Sequence, residues 1–99
     1  MTINTYKEGS SLVIELSGRL DTSTAPAAEN ELNKACANDS IILELKNLDY
    51  VSSAGLRVIL LAQKTMNSKE GNMVVRHCND DIYEIFEMTG FTEVITIER

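Results

Sequence analysis

Basic residues are scarce in this chain: nine Lys and Arg stand against fifteen Asp and Glu, a formal charge of -6. The field around such a protein repels phosphate backbones and anionic lipid, which argues against nucleic acid as a partner. Histidine occurs once, at His77, and cysteine twice, at Cys36 and Cys78, far apart in the chain. No metal-ligand spacing results, and the two cysteines read as buried free thiols. One Pro and five Gly leave no disordered or fibrous signature. No run approaches the ~18 apolar residues of a membrane span. The segment Met1-Thr2-Ile3-Asn4-Thr5-Tyr6-Lys7-Glu8 lacks a basic region followed by an apolar stretch. The expectation is a soluble, cytoplasmic protein without direct membrane insertion. Its 99 residues are too few for two cores and enough for one without disulfides or metal, so residues 1–99 read as a single domain.

What is present is a changing hydrophobic period. Thr2 to Lys7 alternates weakly and runs into Glu8-Gly9-Ser10, a hairpin turn. From Ser11 to Ser17, Leu12, Ile14 and Leu16 share one face and Val13, Glu15 and Ser17 the other, with Gly18 closing the strand. Ala28, Leu32, Ala35 and Cys36 then form one helical stripe, with Ser23 or Thr24 as cap, Pro26 in the first turn and an end near Asn38. Ile41-Ile42-Leu43-Glu44-Leu45 reads as a strand in the middle of the sheet. Leu56, Ile59, Leu60 and Met66 mark a second helix, and Met73-Val74-Val75 a further strand. Asn79 caps a third helix, with Gly90 as its stop, and Val94, Ile95 and Ile97 make a last strand. The order β-β-α-β-α-β-α-β implies an α/β fold: a mostly parallel mixed sheet, edged by the N-terminal hairpin, with helices packed on at least one face.

Several chemistries lack their residues. Val51-Ser52-Ser53-Ala54-Gly55 misses the first Gly of a nucleophile elbow, and His77 beside Cys78 offers no evident nucleophile–base pair. The glycines fall at turns and helix ends, so no phosphate loop appears and no cofactor is expected. Asp49 is not accompanied by the acidic pair a phospho-acceptor receiver needs, and Asp80-Asp81 fits a helix N-terminus. The chain does not read as an enzyme.

The remaining candidate is the run Leu48-Asp49-Tyr50-Val51-Ser52-Ser53-Ala54-Gly55-Leu56-Arg57. Two hydroxyls stand at a strand-to-helix turn beside small residues that let a partner's backbone approach. One Ser serving simply as helix cap is the competing reading, and spacing favours it. On the second helix, Arg57, Leu61, Lys64 and Ser68 lie opposite the core stripe, with Leu61 the apolar exception on a polar face.

This run resembles the signature of the STAS domain, found in bacterial anti-sigma factor antagonists and in cytoplasmic tails of sulphate transporters. Leu12-Val13-Ile14-Glu15-Leu16-Ser17-Gly18-Arg19-Leu20-Asp21, Gly71-Asn72-Met73-Val74-Val75 and Ile85-Phe86-Glu87-Met88-Thr89-Gly90-Phe91 resemble further segments of the family. The resemblance implies that the unphosphorylated chain binds a serine-kinase anti-sigma factor and frees the sigma factor. Phosphorylation at the helix entrance then ends binding, and a serine phosphatase resets the circuit. Aligned on Gly55-Leu56, Ala54 stands where the best-known members carry the phosphorylated hydroxyl, which moves the expected site to Ser53 first and Ser52 second. The partner face expected from the resemblance and the helix pattern comprises Asp21, Thr22, Ser23, Thr24, Ser52, Ser53, Ala54, Gly55, Arg57, Leu61 and Lys64. The same family also contains transporter regions, so a subunit that regulates or assembles a membrane transporter is the alternative. A small-molecule carrier is a third class.

Overall fold

The structure, a computed structural model, describes residues 1–98; Arg99, the last residue of the expected domain, lies outside them. Its elements are β1 (Thr2–Glu8), β2 (Ser11–Leu20), α1 (Ala25–Ala35), β3 (Ser40–Val51), α2 (Ser53–Ser68), β4 (Asn72–Arg76), α3 (Asp80–Met88), a 3₁₀ turn at Phe91–Glu93 and β5 (Thr96–Glu98). They form one sheet in the order β1-β2-β3-β4-β5, in which β1 is antiparallel to β2 and the other neighbours are parallel. The expected order and hairpin edge are therefore found, with β3 at the centre.

One face of the sheet carries the core. Ile14 and Leu16 of β2, Ile41, Leu43 and Leu45 of β3, and Met73 and Val75 of β4 are buried together with Ala28 and Leu32 of α1, Ile59 and Met66 of α2, and Ile82 and Phe86 of α3. Alternation in the strands and 3.6-residue spacing in the helices place all of these on facing surfaces. Among the described residues no helix covers the opposite face. Val13, expected outward, is fully buried there, beside half-buried Ile42 and the buried carboxylate of Glu44.

Several boundaries differ from the sequence reading, each for a local reason. Gly18 does not end β2; it takes φ 98° inside the strand, where the pairing with β3 shifts register. Only a residue without Cβ adopts that angle freely, so the strand bends and continues. β3 runs on to Val51, because the register shift lets Leu48 and Val51 pair with Gly18 and Leu20 after the apolar run has stopped. α1 ends at Ala35, and Asn38 instead bonds the Ala35 carbonyl through both its backbone and side-chain nitrogens at 3.0 Å. Leu60 of α2 is half-buried, while Val58, Ala62 and Gln63 are buried, because α1 packs against that flank. Val94 is exposed and Ile95 buried ahead of β5, since both N–H groups bond back to the Phe91 carbonyl to close the 3₁₀ turn Phe91–Glu93, and the strand starts only at Thr96. Asn79 does cap α3, accepting from Ile82 N–H at 2.8 Å, and both cysteines are buried and outside any disulfide among the described residues.

Candidate functional site at the entrance of the second helix

The two adjacent serines divide their work. Ser52 is the N-cap of α2: its φ of -93° and ψ of 176° are extended, and its hydroxyl oxygen accepts from Gly55 N–H at 3.3 Å. Its carbonyl accepts from Leu56 N–H at 2.8 Å, and its own N–H donates to the Leu20 carbonyl at 2.9 Å. Ser52 thus ties helix, β2 and β3 together, and the capping reading holds for this residue. Ser53 is the first helical residue and is exposed.

Gly55 explains the tight packing behind them. A Cβ at Gly55 would stand 2.7 Å from Leu20 Cγ, 2.9 Å from the Leu20 oxygen and 2.9 Å from Val51 Cγ2. The first turn of α2 therefore lies directly on the ends of β2 and β3, and any side chain would push it away.

The Asp21 to Thr24 loop stands at the same end of the sheet. Asp21 Oδ1 accepts from Ser23 Oγ–H at 2.7 Å, Ser23 N–H at 3.0 Å and Thr24 N–H at 3.2 Å. The bond from the Ser23 hydroxyl, with the backbone N–H groups behind it, holds the Asp21 carboxyl below its ordinary value. Neither Ser23 nor Thr24 caps α1 with its side chain. Thr24 occupies the cap position, but its hydroxyl donates back to the Arg19 carbonyl and accepts from Asp21 N–H, both at 2.8 Å. The loop is closed on itself by these bonds, and Asp21 is its organiser.

Thr22, Ala54 and Arg57 of the expected face line one open groove of about 260 Å³, together with Ala25, Pro26 and Glu29 of α1 and Val58 of α2. Leu61, 43% exposed, and Lys64 lie further along α2, outside the groove. The α1 wall was not expected from the sequence, although Ala25-Pro26 directly after the loop is the signal that placed it there. Also unexpected is Arg19, whose guanidinium lies 4.1 Å from the centre of the exposed Tyr50 ring and 3.7 Å from Asp21 Oδ2.

Comparison with known proteins fits this geometry. Residues 2–99 match the STAS domain family, and the chain belongs to it. It is 34% identical over 89 residues to the anti-sigma F factor antagonist of Paenibacillus polymyxa, covering 87% of this chain and 76% of that one. An anti-sigma factor antagonist of Mycobacterium paratuberculosis has the same fold, with a TM-score of 0.86, 20% identity and coverage of 98% of this chain and 84% of that one. SpoIIAA, a Bacillus cell fate determinant, has been solved in its phosphorylated form and superposes with a TM-score of 0.76 at 17% identity, covering 97% of this chain and 90% of that one. Among the described residues no helix is long and apolar enough to cross a membrane.

Proposed function

We propose that this chain is a cytoplasmic anti-sigma factor antagonist in a partner-switching circuit. In its unmodified form it binds a serine-kinase anti-sigma factor and so releases the sigma factor. The kinase then transfers the terminal phosphoryl group of ATP to Ser53 Oγ, leaving ADP and a proton, and binding ends; a serine phosphatase restores the free hydroxyl. The chain is in this scheme a substrate and a binding module.

The observation that carries this reading is the division between the two serines. Ser52 is engaged as the helix cap, whereas Ser53 is exposed beside the groove. Ser53 is accordingly the first choice for modification and Ser52 the second. A phosphate adds about -1.5 to -2 charge and three acceptor oxygens, which the first turn of a helix accommodates locally. The fold survives while an interface fitted to a neutral hydroxyl does not. The partner face consists of the loop Asp21, Thr22, Ser23 and Thr24, the helix entrance Ser52, Ser53, Ala54 and Gly55, and Arg57, Leu61 and Lys64 along α2. The names of the relatives support the same reading.

The test is to recover the tagged chain from growing cells and identify its partner and its modification by peptide mass spectrometry. A kinase-type anti-sigma factor bound to unmodified chain, with a one-phosphate adduct at Ser53 in the unbound pool, is the expected result. Transporter subunits bound to unmodified chain would replace the proposal with the transporter alternative.

A further inference from the structure

The charge pattern around Ser53 bears on how a phosphate there would act. Within α2, Ser53–Ser68, the only charged residues are Arg57 and Lys64, both basic and both exposed, in a chain whose net charge is -6. Ser53 and Arg57 are four residues apart, so their side chains leave the helix on one side, separated by about 6 Å along the axis. Lys64 shares that side of the helix but stands about 16 Å from Ser53 along the axis, three turns away and out of reach of a phosphate there. Arg19, near the end of β2, is already held by Tyr50 and Asp21.

Arg57, by contrast, makes no ion pair among the described residues, even though Glu29 lines the same groove. It is an exposed, uncommitted guanidinium on the groove wall, one helical turn beyond an exposed hydroxyl. An anion followed four residues later by a cation is the favourable order on a helix, and a guanidinium meets phosphate oxygens with two parallel N–H donors.

We infer that Arg57 is the intramolecular clamp for a phosphoryl group on Ser53, so that modification withdraws this cation from the docking groove as well as adding negative charge. This rests on the proposed modification of Ser53 and specifies how it acts. Unmodified, Arg57 is free to meet an acidic group of the partner across the groove. Modified, it is turned along the helix onto the phosphate, and the groove loses its one basic wall residue. The switch then works twice, by repulsion at Ser53 and by removal of an attractive contact at Arg57.

The experiment uses the full chain with phosphoserine installed genetically at position 53, which needs neither kinase nor partner. The second ionisation of the phosphate is followed by phosphorus NMR across pH, in low salt and in about 1 M salt, where the Debye length is only about 3 Å. The expected midpoint in the otherwise wild-type chain lies a few tenths of a pH unit below that of the Arg57→Gln variant at low salt. The two converge at high salt. Arg57→Lys, which keeps the charge and loses the fork, falls between them, while Lys34→Gln, a matched loss of charge at the far end of α1, leaves the midpoint unchanged. Equal midpoints in wild type, Arg57→Gln and Arg57→Lys at low salt overturn the clamp. Circular dichroism melts accompany each sample, so that a variant that fails to fold is recognised and Arg57→Lys alone decides. If the midpoints are equal but phosphoserine at 53 still abolishes partner binding, partner switching stands and only the clamp falls. If the midpoint shifts but no phosphate occurs on Ser53 in cells, the clamp geometry stands and the proposed modification falls.

Discussion

Arg76, at the end of β4, donates from Nη1 and Nη2 to the two carboxylate oxygens of Glu8, at the end of β1, at 2.7 and 3.0 Å. Two strands lie between them, a separation of about 14 Å in a flat sheet. The contact therefore requires the hairpin to curl over the face that no helix covers, which fits the complete burial of Val13 there. Beneath it Glu44, 2% exposed, accepts from Arg76 Nε at 2.8 Å and lies 3.0 Å from His77 Nδ1. β1, β3 and β4 are thus joined through the Arg76 guanidinium, which bridges Glu8 and the buried Glu44 carboxylate.

A pH dependence follows from that cluster. Burial by itself would raise the Glu44 carboxyl, but the bonds from Arg76 and His77 outweigh it and hold the group below the usual carboxylate range; the Arg76 bonds do the same for Glu8. A carboxyl depressed in the folded state contributes stability that is complete above its unfolded value near 4.5 and lost as pH falls through the folded value. Urea unfolding should therefore show stability declining as the pH is lowered below about 5. Glu44→Gln should cost about 1–3 kcal/mol at neutral pH, since it removes a charged hydrogen bond and leaves Arg76 partly unsatisfied. It should also flatten the acid limb. An acid limb as steep as that of the wild type would show that Glu44 does not control it.

Gly55→Ala tests the close approach of α2 to the sheet. Because the added methyl meets Leu20 and Val51 at under 3 Å, a loss of about 1–3 kcal/mol is expected in urea unfolding, against the gain that Gly→Ala normally brings inside a helix. An unchanged or raised midpoint would mean that the helix entrance yields without cost.

The two serines should separate in stability. Ser52→Ala removes the cap that satisfies Gly55 N–H and should cost about 0.5–2 kcal/mol. Ser53→Ala, at an exposed position, should stay within about 0.5 kcal/mol of wild type while abolishing the phosphate adduct. Thermal melts of both variants side by side decide this, and equal losses would contradict the assigned roles.

Leu61→Glu addresses the outer face of α2. With Leu61 43% exposed, the variant should melt within a few degrees of the wild type. Its affinity for the proposed kinase partner should drop at least tenfold by calorimetry, through loss of an apolar contact and of the basic character of the Arg57, Leu61, Lys64 stripe. Wild-type affinity would remove Leu61 from the partner face.

Much of this architecture was legible in the amino-acid order. Element order followed from the period of the hydrophobic residues, because a strand repeats every two residues and a helix every 3.6. The Asn79 cap and the Gly90 stop could be read locally, since cap geometry involves only neighbouring residues. The run around Ser53 stood out as the candidate site, and the exposure of Leu61 followed from helical spacing alone. Less legible were the limits of β2 and β3, which depend on a register shift between two strands rather than on either strand's composition.

The sequence by itself determined which elements form, their order and where the two hydroxyls stand, because these are consequences of local pattern. Only the tertiary structure decided which hydroxyl is engaged and which is exposed, since that turns on the Leu20 carbonyl and the Gly55 N–H meeting at Ser52. It alone set Pro26 and Glu29 of α1 opposite Ala54 and Arg57, and joined Glu8, Glu44 and Arg76 across three strands. Such contacts link positions remote in the chain, and their partners are fixed by sheet twist and helix packing, which no short window of residues encodes.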